Sequence, residues 1–170
     1  QRIGQINVPV PGLHNLSNAI AAIAACRIAG TPINVLQKNI PNLKTPGRRF
    51  DFRGIWEGRQ IVDDYAHHPS EIKATLSMAR LMIKSGQSPL PHSPKRLVVI
   101  FQPHRYSRMK QFLKDFALAL GDSDLVLVAP VYSAGESPIK GANNHSLADC
   151  IKKYYPKMQI LVPENLEELT

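Results

Sequence analysis

Apolar residues at Leu16, Ile20, Ile23, Ala24 and Ile28 recur at the spacing of one helical face, and Gly30 follows as a stop. Thr31-Pro32 then reads as an N-cap with proline at the first helical position, opening a short second helix that runs to Ile40. The stretch Asn42 to Gly47 has little pattern and two breakers, so a domain boundary is expected there, dividing residues 1–46 from 47–170. Arg49 to Ile55 and Gln60 to Asp64 predict two strands around a Glu57-Gly58 turn. Pro69 starts a helix with Ile72, Leu76, Ala79 and Ile83 on one face, and the turn formers from Ser85 to Pro94 predict an exposed, mobile loop in which His92 is solvated.

The run Leu97 to Phe101 is continuously apolar, as expected of a strand buried on both faces of a parallel sheet. A helix from Met109 to Leu120, a second buried strand from Leu125 to Ala129, a helix from Ser146 to Tyr154 and a strand from Gln159 to Val162 follow, with an acidic helix start at the end. This alternation predicts an α/β fold with a largely parallel, Rossmann-like sheet. Ligands of such sheets bind beyond the carboxyl ends of the strands, which directs attention to residues 63–70, 102–108 and 131–141.

Composition narrows the field. Of 170 residues, 44% are hydrophobic, enough for a folded domain with a core. A net charge of +8 suggests an anionic partner. The basic residues are dispersed with little aromatic interleaving, which argues against a nucleic-acid surface. No stretch reaches the roughly 20 apolar residues of a membrane span, and no signal-peptide layout opens the chain, so a cytoplasmic protein with no membrane partner is expected. Cys26 and Cys150 fall in apolar-periodic stretches and are expected as buried free thiols.

Chemistry concentrates at three strand ends. Asp63-Asp64-Tyr65-Ala66-His67-His68-Pro69 packs two carboxylates, a phenol and two imidazoles into one turn, a density with little structural use. Adjacent histidines point apart, so a metal site is not expected; Asp64 and His67 read as ligand-binding, while His68 is equally well a helix cap before Pro69. In Gln102 to Arg108, His104, Arg105 and Arg108 stand at a helix start, where cations are disfavoured by the dipole and a bidentate grip on a carboxylate or phosphate gives them a use. Pro130 to Pro138 has the small residues of a strand-end loop and is a weak signal alone. In Gly12 to Asn18, Asn15 or Ser17 reads as an N-cap, although an asparagine amide also suits the edge of an adenine ring. No Gly-x-Gly-x-x-Gly follows any strand, and no hydrolase triad emerges.

In this order, these segments resemble the Mur ligase family, and the two histidines and the Pro-His-Arg segment resemble its alanine-adding branch. Gly12 to Asn18 with Ala21-Ala22 is similar to the central-domain helix motif, Arg48-Arg49-Phe50 to the arginine after the interdomain hinge, and Val131 to Glu136 to a third strand-end motif. The resemblance implies a carboxy-terminal Rossmann-like ligase domain over 47–170, preceded by a tail of the central ATP-binding domain over 1–46. It implies the activity too: ATP, with Mg2+, phosphorylates the carboxylate of UDP-N-acetylmuramic acid, and the amine of L-alanine attacks the acyl phosphate. Asn18 would contact adenine, Arg49 the ATP phosphates and Asp64 the ribose. Tyr65, His67, Arg105 and Arg108 would bind the amino acid, with His67, His104 and Arg105 at the reacting centre.

There are two departures from the family pattern. No Gly-x-x-x-x-Gly-Lys-Ser/Thr occurs, and the upstream magnesium ligands and UDP-sugar domain are missing, so the chain by itself is expected to be inactive and to need the other domains of the same protein. The chain also stops before the family's final Gly-Ala-Gly segment. Alternatives are a ligase of the same family that recycles muropeptides, and a stand-alone nucleotide-binding or regulatory module.

Overall fold

The computed structural model describes residues 4–9, 12–43 and 47–169. Helix α1 (Leu13–Ile28) ends where Gly30, at φ 91°, turns the chain left-handed. The Thr31 amide then donates to Cys26 O at 2.9 Å and the Gly30 amide to Arg27 O at 3.0 Å, the paired bonds of a Schellman stop. The predicted apolar face of α1 is not covered: none of its side chains is buried, and Leu16, Ile20 and Ile28 are exposed. Cys26 is exposed on the same helix, which corrects the expected buried thiol, whereas Cys150 is half-buried and its burial pushes the thiol pKa up. Helix α2 (Ile33–Asn39) is capped by Pro32 rather than Thr31, because the extended Pro32 carbonyl already accepts from Val35 and Leu36. The centre of the expected domain boundary, residues 44–46, lies outside the described residues.

Strands β1 (Asp51–Trp56) and β2 (Arg59–Asp63) form the predicted hairpin. Glu57 and Gly58 both have positive φ, 47° and 76°, as a two-residue turn matched to strand twist requires. Helix α3 (Pro69–Ser85) starts on a capping box: the His68 ring accepts from the Ser70 amide, and the Glu71 carboxylate accepts from the His67 and His68 amides. Of the two readings of His68, the cap is therefore realised. The loop expected to be exposed and mobile is tied to β2, since the Gln60 amide both donates to His92 O (2.8 Å) and accepts from His92 N (2.9 Å).

Strands β3 (Val98–Phe101), β4 (Leu125–Val128) and β5 (Gln159–Leu161) form a parallel sheet in the order β3-β4-β5. Helices α4 (Tyr106–Ala119) and α5 (Asn144–Tyr154) are the crossovers, and α4 packs between α3 and α5. The core joins Phe101, Val126 and Val128 of the sheet to Met109, Phe116, Leu147 and Ile151 of the helices. The alternate residues tell the opposite story: Val98 is 51% and Ile100 64% exposed. The expectation that β3 is buried on both faces is thus corrected, because among the described residues the helices cover only one face. No helix among the described residues is long and apolar enough to cross a membrane.

Candidate active site at the carboxyl edge of the sheet

Three loops meet beyond the strand ends. A one-residue parallel bridge joins His104 to Tyr132; the Tyr132 amide donates to Pro103 O and the Arg105 amide to Tyr132 O, both at 2.8 Å. This splice extends the sheet by one rung and holds Arg105 at φ 74°, a left-handed conformation that a side-chain-bearing residue adopts at a cost of about 1–3 kcal/mol. Arg48, Phe50 and Ala134, also at positive φ, flank the same region.

A file of stacked groups crosses the site. The Arg48 guanidinium lies 4.8 Å from the centre of the Tyr65 ring, Tyr65 meets His67 edge-on at 5.1 Å, His67 lies 6.3 Å from His104, and His104 lies 5.3 Å from Tyr132. Arg48 is fixed by Asp63 at 3.0 Å and by its carbonyl, which accepts from the Tyr65 amide at 2.8 Å. The His67 Nδ1 lies 2.9 Å from Tyr65 O. A carbonyl only accepts, so Nδ1 is the donor in this contact.

Two buried side-chain nitrogens, His104 Nδ1 and Arg108 Nη1, have no hydrogen-bond partner. A buried unsatisfied polar group costs roughly 1–3 kcal/mol, and the guanidinium, which only donates, is suited to a ligand that accepts hydrogen bonds. Burial, then the charges of Arg108, Arg105 and His67, hold the His104 imidazole below its ordinary pKa, with Glu136 pulling the other way. The site thus pairs a neutral imidazole with fixed guanidinium charge. Glu71 is held below the usual carboxylate range: partial burial raises it, but the His67 and His68 amides and the nearby charges of His67 and Arg49 outweigh that.

The structure brings Tyr65, His67, His104, Arg105 and Arg108 to one sheet edge. Arg49 is exposed at the hinge beside them, with its charge felt at Glu71. Asp64 is already engaged: one carboxylate oxygen accepts from the Phe50 amide (2.9 Å) and the other from the Ala66 amide (2.8 Å), so it pins the hinge to the site loop. Asn18 is exposed midway along α1, on a separate element. The cluster also contains Arg48, Ser107 and Glu136, which lie within the sequence motifs but to which the residue pattern assigns no role. No group of three or more His, Cys, Asp or Glu able to hold a metal ion is present among the described residues.

The family model described as Mur ligase, glutamate ligase domain matches residues 48–170, and the chain belongs to the Mur ligase family. Its whole length is 62% identical to a UDP-N-acetylmuramate–L-alanine ligase of Prochlorococcus marinus (strain MIT 9303), and 59% identical to one of Synechococcus sp. (strain CC9605). The chain spans 35% and 36% of those relatives. Among solved structures, a UDP-N-acetylmuramate-alanine ligase of Thermotoga maritima superposes with a TM-score of 0.73 at 28% identity, over 99% of this chain and 33% of that one. A murein peptide ligase of Psychrobacter arcticus, at 22% identity and a TM-score of 0.68 over 96% of this chain and 32% of that one, shares the fold.

Proposed function

We propose that this chain is the carboxy-terminal part of an ATP-dependent ligase that joins L-alanine to UDP-N-acetylmuramic acid in peptidoglycan precursor synthesis. The observation that carries this reading is the 62% identity, sustained over all 170 residues, to a ligase of that name. Residues 47–170 are the ligase domain, and residues 1–46 belong to the ATP-binding domain that precedes it.

In this reading the sheet edge is the amino-acid end of the reaction. Arg108, whose buried Nη1 has no partner, and Arg105 take the alanine carboxylate, a match that a guanidinium makes through two parallel bonds. Tyr65 and His67, which meet edge-on, flank it. The amine must shed a proton as it attacks the acyl phosphate, and an imidazole of the cluster, His104 or His67, accepts it. Arg105 stands by to offset charge at the reacting carbon. The ATP phosphates and magnesium are held by residues outside this chain, with Arg49 reaching them from the hinge and Asn18 reaching adenine from α1. Asp64 contacts ribose through lone pairs left over from its two backbone bonds.

The full-length protein tests this directly. Phosphate release from ATP should require both UDP-N-acetylmuramic acid and L-alanine together. Release that is independent of alanine, or that a ready-made peptide supports better than alanine does, refutes the assignment.

A further inference from the structure

We propose that Glu136 is a positioning residue of the amino-acid site: by capping helix α4 from the neighbouring loop, it fixes where Arg105 and Arg108 present their guanidinium groups. This rests on the function proposed above.

Helix α4 lacks the usual local means of starting. Its N-cap, Arg105, makes no side-chain cap bond, and no acidic residue lies in its first turn. The carboxylate that a helix N-terminus favours arrives instead from 29 residues further on. Glu136 Oε2 accepts from the Ser107 amide at 2.9 Å and Oε1 from the Ser107 hydroxyl at 2.7 Å. Two bonds to one residue set the orientation of the helix start as well as its distance. The loop that delivers Glu136 is closed by a turn, with Ala134 at φ 50°, Gly135 at φ 85° and the Glu136 amide on Ser133 O at 3.1 Å.

The consequence lies on either side of Ser107, two residues before it and one after. Arg105 precedes it at positive φ, and Arg108 follows it with a buried, unpartnered nitrogen. The backbone splice through Tyr132 secures the Arg105 end of the segment, and the Glu136 bonds secure the helical end. Glu136 spends its carboxylate on the start of α4, at Ser107 and at the neighbouring Tyr106 amide, so it acts through the helix. Its charge, felt by Arg105, also pulls the His104 pKa up against the surrounding cations.

Glu136→Ala and Ser107→Ala, singly and together, test this in the full-length enzyme. Glu136→Ala should raise the KM for alanine roughly tenfold, short of the ~100-fold that an ångström of misplacement can cost, while the KM for ATP stays within about twofold. Ser107→Ala should move the alanine KM the same way by less, and the double variant should match Glu136→Ala, since both remove one linkage. Amide exchange should quicken in the first turn of α4 and in residues 132–136. The His104 titration should move to lower pH, because Arg108, Arg105 and His67 remain as cations around it and Glu136 is gone. An unchanged alanine KM, or unchanged exchange at α4, overturns the proposal. A severe Glu136→Ala with a silent Ser107→Ala also overturns it, pointing to direct contact with the substrate amine. If the wild-type protein does not ligate alanine, the proposed function fails, and exchange with the His104 titration decides the role of Glu136 alone.

Discussion

Gly121 sits in the 3-10 turn that ends α4 (Leu120–Asp122), and its φ is outside the left-handed region, so nothing in the backbone demands glycine. Space does. A methyl group there would overlap Cζ and Oη of Tyr155 and lie 2.7 Å from Cε2. The ring is half-buried against the core and its hydroxyl donates to Leu118 O at 3.3 Å. A rigid ring cannot bend away; it must rotate out as a unit, losing that bond and its packing. Overpacking costs about 1–3 kcal/mol, against about 0.4–1 kcal/mol regained from a stiffer unfolded chain, so Gly121→Ala should destabilise by roughly 1–2 kcal/mol. The assay is urea unfolding of the 170-residue chain followed by far-UV circular dichroism; Trp56, at 60% exposure, is a poor reporter. Tyr155→Phe should not rescue, because Cζ remains. In a Tyr155→Ala background the same Gly121→Ala should be neutral or slightly stabilising. Equal stability of Gly121→Ala and wild type, with Tyr155 present, would refute the reasoning.

In the full-length protein, Arg108→Ala should raise the KM for alanine about ten- to a hundredfold, the worth of a charge-assisted contact of roughly 1.5–3 kcal/mol, and Arg108→Lys should restore only part of it. Asn18→Ala should raise the KM for ATP instead; equal effects of Arg108→Ala on both substrates would remove the amino-acid role. The folded His104 pKa lies below the unfolded value of about 6.5, so the unfolded chain protonates first: its contribution is complete above that value and is lost as pH falls toward the folded one. His104→Asn should flatten stability against pH in that window, as measured by urea midpoints; an undiminished slope counts against burial as the cause. The 170-residue chain alone should neither ligate nor hydrolyse ATP, which phosphate release above a contaminant-free control would contradict.

Periodicity was a good guide to α3, α4, α5 and both sheets, because these elements bury one face and the spacing of Ile72, Phe116, Leu147 and Val126 records that burial. It misled where burial depends on what lies opposite. Val98 and Ile100 read as core by the same criterion as Val99 and Phe101, yet nothing among the described residues covers them, and Leu16 and Ile20 of α1 stand exposed likewise. Helix α4 begins at Tyr106, three residues before the expected Met109, since its cap comes from Glu136 and leaves no trace near the helix start. The crowding of ionisable groups at Asp63 to His68 and at His104 to Arg108 was legible as chemistry. The engagement of Asp64 with two backbone amides was not, because it depends on the hinge folding back.

The uncovered side of β3 and β5 carries Val98, Ile100 and Leu161, each more than half exposed, on a sheet whose outer strands pair on one side only among the described residues. Such a surface has the properties of a molten interior while the domain beneath it is rigid: an environment-sensitive apolar dye should light up on a protein whose dichroism is fully native. Ammonium sulfate should strengthen self-association, where a charged surface would instead be screened. Handling of the chain in solution is then governed by concentration and salt type rather than by heat, and a single Ile100→Lys change, on the solvent side of β3, should do more for its solubility than any stabilisation of its core.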